Sequence, residues 1–226
     1  MYVSAGGKSV FKAVIYDLFG TVLEPWDMDR HHATLSRMAK ALNVGANDFA
    51  AMWGHYADQG MNGAFGSIGE QIVRVCGALS VHVQPEQISL AESLLLDDAR
   101  DYLSPTGDAL GTMMRVKDLG LKTGVISNCG PEVPRLWQDL RFSHYVDAPV
   151  FSCVSGLKKP WAQVYEQVLD LLGVSPGEAL FVDDDPAFVE AARAVGLAAV
   201  RVTNDTATQA TDQCVARLSN ILPLLT

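Results

Sequence analysis

The chain of 226 residues has no apolar run approaching the ~18–20 residues a membrane span needs, no cluster of lysine and arginine, and no C-x-x-C pair. Internal repeats and low-complexity tracts are absent too. Each absence excludes a class. Without an apolar span no membrane partner is expected, and Met1–Lys12 has no apolar block of the kind a secretory signal carries, so the cytoplasm is the expected compartment. A net charge of −9 without a basic footprint argues against nucleic acid and acidic lipid surfaces. Cys76, Cys129, Cys153 and Cys214 stand too far apart for a disulfide frame or a zinc site and read as reduced thiols. What is there is a globular composition, 49% hydrophobic and 19% charged, long enough for one α/β domain with an insertion or for two small domains.

Four short β-type runs each end in a polar turn: Ala13–Tyr16 before Asp17, Thr123–Ile126 before Ser127, Val150–Val154 before Ser155, and Ala179–Val182 before Asp183. Helical periodicity lies between them, the pattern of a parallel sheet wound with helices, and Ala198–Val202 adds a fifth strand. Asp108–Leu119 reads as a helix stopped by Gly120, Pro160 opens another closed by Gly173, and Asp185-Pro186 caps a third that ends at Gly196. Residues 24–104 show helical stretches such as Ala33–Leu42 and Ser89–Leu103 but no strand. The predicted fold is therefore α/β, a doubly wound parallel sheet with a Rossmann-like core formed by 1–23 and 105–226, carrying an inserted α-helical cap at 24–104.

In a parallel sheet Asp17, Ser127 and the pair Asp183-Asp184 all project from carboxyl ends of strands toward one edge, where such sheets bind ligands. Lys159, just before the Pro160 helix, can join them. Three crowded carboxylates raise one another's pKa unless positive charge offsets them, and Lys159 with a Mg²⁺ ion meets that need.

Four ordered motifs carry a family resemblance: Asp17-Leu18-Phe19-Gly20-Thr21, Val125-Ile126-Ser127-Asn128, Gly156-Leu157-Lys158-Lys159-Pro160 and Phe181-Val182-Asp183-Asp184-Asp185-Pro186. In these the chain resembles the haloacid dehalogenase superfamily of hydrolases with an inserted helical cap. The resemblance implies Asp17 as a nucleophile that forms a covalent intermediate, with Ser127 and Lys159 completing the catalytic set. It implies Mg²⁺ held by Asp17, Asp184, Asp183 and the backbone carbonyl of Phe19, and it sets Phe19, Thr21, Asn128 and Tyr165 beside a small anionic substrate. A monomer or homodimer is expected.

Phe19 departs from the pattern. Family phosphatases carry an aspartate there that protonates the leaving oxygen, a contribution of ~10²–10⁴ in rate, so leaving groups that need no proton are favoured. The family's metal-independent 2-haloacid dehalogenases carry an aromatic residue at this place, and Tyr165 also matches them. They lack the acidic fourth motif, however, and they supply a cap arginine that Phe49–Tyr56 does not contain. Phosphatase-like activity is the first expectation, 2-haloacid dehalogenase the second, and a ligand-binding relative without turnover the third.

Plainer roles compete at several positions. Asp17 and Ser127-Asn128 can serve as turn residues, Asp185 as an N-cap, and Phe188 stands where many family members have an outer metal-side Asp or Asn. His55 is the cap histidine expected to face substrate, and Cys129 is a buried thiol near the site. Gly6-Gly7-Lys8-Ser9 is half of a phosphate loop and is set aside, because it precedes a strand.

Overall fold

The computed structural model describes residues 11–205, 207, 211 and 213–226, so Gly6-Gly7-Lys8-Ser9 lies outside them. Six strands, β1 (Ala13–Tyr16), β2 (Lys122–Ser127), β3 (Ala148–Phe151), β4 (Ala179–Asp183), β5 (Ala198–Val202) and β6 (Cys214–Val215), form one parallel sheet in the order β3-β2-β1-β4-β5-β6. The order reverses beside β1, the place where open α/β sheets bind ligands. Every residue of β1 is buried: Val14 and Tyr16 face one hydrophobic core, Ala13 and Ile15 the other. A strand covered on both faces reads as a continuous apolar run, which is why this one is so plain in the sequence.

Four helices, α1 (Met28–Leu42), α2 (Ala46–Met61), α3 (Ile68–Ala78) and α4 (Pro85–Tyr102), are inserted between β1 and β2. Asp27 caps α1 by accepting the Arg30 N–H at 3.0 Å, and Leu35, Met38, Ala39 and Leu42 make its buried stripe at helical spacing. Those residues join Phe49, Ile72, Val75 and Leu95 in a third core that belongs to the insertion alone. Helices α5 (Ala109–Asp118), α6 (Glu132–Leu136), α7 (Ser152–Ser155), α8 (Ala162–Leu172) and α9 (Pro186–Val195) flank the sheet.

Two local readings need correction, and one short strand was missed. The run Val150–Val154 leaves the sheet at Phe151, because β2 ends at its partner Ser127 and no ladder continues beyond. Ser152–Ser155 instead form the single turn α7, with the Ser152 hydroxyl accepting the Cys129 N–H at 3.1 Å. The helix assigned to Pro160 starts at Ala162, since the backbone just before Pro160 is held in a loop described below. The two-residue β6 is too short to leave a period of its own.

Candidate active site

Asp17 follows β1 directly, and its N–H donates to the Val182 carbonyl of β4 at 2.9 Å. That pairing sets its side chain level with Asp183, the last residue of β4. Between them lies Lys159, whose Nζ is 2.5 Å from Asp17 Oδ1 and 2.6 Å from Asp183 Oδ2. All three side chains are almost wholly shut from water. Charges that deep must be paired, and one ammonium here serves two carboxylates.

Asn128 fixes where that ammonium sits. Its amide donates to the Lys159 carbonyl at 3.0 Å and accepts the Lys159 N–H at 2.9 Å, a two-point clamp on the loop before Pro160. Sequence reasoning set Asn128 against substrate, whereas both ends of its amide are used on this backbone. The ring of Phe188 lies under Lys159, with Nζ 4.7 Å from its centroid. Where an outer metal-side carboxylate was sought, the chain has an aromatic face for the lysine instead.

Asp184 completes the cluster. Asp17, Asp183 and Asp184 each offer a carboxylate oxygen within 4.8 Å of the others. Gly20, at φ +84°, gives Asp184 its room, because a Cβ there would overlap the Asp184 carboxylate. Among the described residues Asp184 has no ion-pair partner, so the three acids carry two more negative charges than Lys159 offsets.

The titration behaviour follows from this imbalance. Burial pushes Asp183 up to about 6, with Lys159 opposing and Asp17 adding to the rise. Burial likewise raises Asp17 against the pull of Lys159, and burial with the charge of Asp183 raises Asp184. Burial works to lower Lys159, but Asp17 and Asp183 outweigh it and hold the ammonium above its ordinary value. The cluster is short of positive charge. An all-oxygen donor set in that state fits a hard divalent cation such as Mg²⁺.

Two hydroxyls at this edge, Ser127 Oγ and Thr21 Oγ1, are buried without a hydrogen-bond partner among the described residues. Buried polar groups are rarely left so, which marks them as donors for something absent here. Tyr165 is placed elsewhere. It is fully buried on the inner face of α8, its hydroxyl donates to the Phe188 carbonyl at 3.0 Å, and its ring packs edge-on against Phe181. It supports the cluster from behind and does not reach the cleft, a correction to its expected place beside substrate.

Above the edge, a cleft of about 440 Å³ opens between the sheet and the inserted helices. Phe19 lines it and packs edge-on against Trp26, with centroids 5.4 Å apart. Leu35, Trp53, Met61 and Leu95 supply apolar wall, while Gln71, Asn128 and Glu132 supply polar groups. His55 is exposed and outside this lining; the histidines that border it are His31 and His32. Sequence reasoning missed Glu132 and Gln71, since neither lies in a motif, although Glu132 follows the Ser127 segment closely enough to have been tested.

The fold is thus a helically capped α/β sheet with a buried Asp–Lys–Asp cluster at the carboxyl ends of its strands. The chain belongs to the haloacid dehalogenase-like hydrolases, whose family model matches residues 11–196. It is 28% identical over 203 residues to (S)-2-haloacid dehalogenase 1 of Pseudomonas sp. (strain CBS-3), covering 84% of each chain. It is also 28% identical over 123 residues to the glyceraldehyde 3-phosphate phosphatase of Methanopyrus kandleri, covering 53% of this chain and 52% of that one. The chain thus spans about half the length of the phosphatase relatives it matches. Among solved structures it resembles a 2-haloacid dehalogenase of Pseudomonas syringae at TM-score 0.72 and 17% identity, covering 95% of this chain and 98% of that one. It also resembles a family enzyme of Bacteroides thetaiotaomicron in complex with magnesium and inorganic phosphate, at TM-score 0.64 and 16% identity, covering 85% and 94%. These likenesses establish the fold. No helix among the described residues is long and apolar enough to cross a membrane.

Proposed function

We propose that the protein is an aspartate-nucleophile hydrolase of small phosphorylated metabolites or related esters whose leaving group departs without a proton. The observation that carries this reading is the charge of the cluster, three carboxylates against one ammonium, a deficit suited to Mg²⁺ and a bound phosphoryl group. Asp17, Asp183, Asp184 and the Phe19 carbonyl would hold the ion, which supplies charge neutralisation at the phosphoryl oxygens. The magnesium and phosphate in the Bacteroides enzyme support it.

The chain's own groups then have distinct tasks. Asp17 attacks phosphorus, the leaving oxygen departs with its electron pair, and water hydrolyses the aspartyl phosphate to restore the carboxylate. Lys159 holds Asp17 in place and faces the anionic oxygens; Ser127 and Thr21 donate their unpartnered hydroxyls to them. Asn128 acts through Lys159 as a positioning residue. Residues 1–23 with 105–226 form the catalytic core and 24–104 the cap in this reading.

A second reading, a metal-independent 2-haloacid dehalogenase, is favoured by the match along 84% of a dehalogenase and by the aromatic ring at Phe19. The deciding experiment assays acetyl phosphate, 4-nitrophenyl phosphate, glycerol phosphate and 2-chloropropionate with Mg²⁺ and with chelator. Mg²⁺-dependent release of phosphate from the first two is expected, abolished by Asp17→Asn with a loss of roughly 10⁴-fold or more. Chloride release indifferent to chelator would replace this reading with the second. Metal-dependent phosphate binding with no turnover would make the protein a binder.

A further inference from the structure

Within a largely apolar cleft, one carboxyl group stands out. Glu132 opens α6 just beyond Ser127 and Asn128, is only 8% exposed, and borders the same cleft as Phe19 and Trp53. Its charged partners are few. The Tyr102 hydroxyl of α4 donates to Oε1 at 3.5 Å, and among the described residues Glu132 has no salt bridge. Among the described residues no lysine or arginine lines the cleft. Arg30, in the adjoining hollow, is committed to Asp98 at 2.8 Å and Asp101 at 3.2 Å. Burial and His32 lower the bordering His31 below its ordinary value, with Asp98 opposing.

Resting on the phosphatase reading above, we infer that Glu132 is a specificity residue which selects an apolar leaving group bearing a hydroxyl or amine, and which rejects leaving groups that carry a carboxylate. A buried carboxyl needs hydrogen-bond donors, and its own backbone N–H with one long contact to Tyr102 leaves acceptor capacity for a ligand. A small number of placed polar groups in an apolar cavity is how such sites fix orientation. A second carboxylate entering this space finds no lysine or arginine among the described lining residues and meets the Glu132 carboxyl, so like charges face each other in a poorly solvated place. Gln71, 4% exposed on α3 and also in the lining, offers both a donor and an acceptor and sets no sign of charge.

The test uses the full-length protein with Mg²⁺ and three aryl phosphates of matched size: the para-methyl, para-aminomethyl and para-carboxy phenyl esters. In the wild type, kcat/KM for the aminomethyl ester should exceed that for the carboxy ester by about tenfold to a hundredfold, after correction for leaving-group pKa. Glu132→Gln, which keeps the shape, should collapse that ratio by about tenfold, chiefly through KM. Tyr102→Phe is the milder companion and should raise the preference for a donor group, because Glu132 loses its resident one. A wild-type ratio near one overturns the inference even if Glu132→Gln does not fold, and so does an unchanged ratio in a folded Glu132→Gln. If no ester turns over, the phosphatase reading has failed separately. Tryptophan quenching by the three parent phenols, read from Trp53 and Trp26 at the cleft, then decides the selectivity on binding alone.

Discussion

At the sheet edge, Lys159 Nζ sits 2.5 Å from Asp17 and 2.6 Å from Asp183, and each of these groups is tied to the others by charge. A few residues away the cleft wall is Leu35, Trp53, Met61 and Leu95, with Glu132 and Gln71 as isolated polar points. The edge depends on its one ammonium, since removing Lys159 leaves two buried carboxylates unanswered. The wall is made of side chains that can be exchanged for others of similar volume. In the proposed reading, reaction type and substrate scope are held by two physically different materials, and altering one need not disturb the other.

The sharpest way to break that contrast is Lys159→Met. It leaves Asp17 and Asp183 facing each other without the ammonium, and removal of one partner of a buried pair costs about 3–5 kcal/mol. Denaturant unfolding in chelator should show that loss, and turnover with Mg²⁺ should fall by roughly 10³-fold. Retained stability would mean the edge is not held by this lysine. A smaller effect is expected from Phe19→Asp, which puts an acid where the wall meets the edge. Glycerol phosphate turnover should rise by about 10²-fold while acetyl phosphate changes little, and no rise would show that the missing proton is not what limits alkyl esters.

The smallest effect concerns pH. Burial raises Glu132 above its ordinary value of 4.5, with its own N–H and the Tyr102 hydroxyl opposing. As pH rises from about 4.5 through the folded-state value, the native protein keeps a proton that the unfolded chain has lost, so stability falls over that window. Glu132→Gln should flatten the pH dependence of the melting temperature there. A curve that coincides with the wild type would show that Glu132 ionises as freely in the fold as outside it. Burial and Cys153 also hold the Cys129 thiol well above its ordinary value, which leaves it a poor nucleophile toward alkylating reagents.

The doubly wound sheet was readable because its strands are covered on both faces and stop at polar turns, and Asp17, Ser127 and Asp183 each occupy such a stop. The meeting of Asp17 with Lys159, residues far apart in the chain, rested on motif order. No local period specifies it. A motif shows which residues gather but not which way each side chain is spent: Asn128 lines the cleft but uses its amide on the Lys159 backbone, and Tyr165 is buried outside the lining. The wall of the cleft was not legible at all. Its residues come from α1, α2, α3, α4 and the α6 entrance, and their convergence depends on how the inserted helices pack against one another and on the sheet.

Lys158 and Lys159 are neighbours in sequence yet go opposite ways. Lys159 turns down to the carboxylates, while Lys158 pairs with Asp58 of α2 and lies over the Trp161 ring, 5.6 Å from its centroid. One peptide unit therefore joins the reacting edge to the helical lid. The outer link is solvent-facing and screened by salt, whereas the inner one is sealed from it. Ionic strength therefore acts on the link between this loop and α2 and much less on the buried Lys159 cluster.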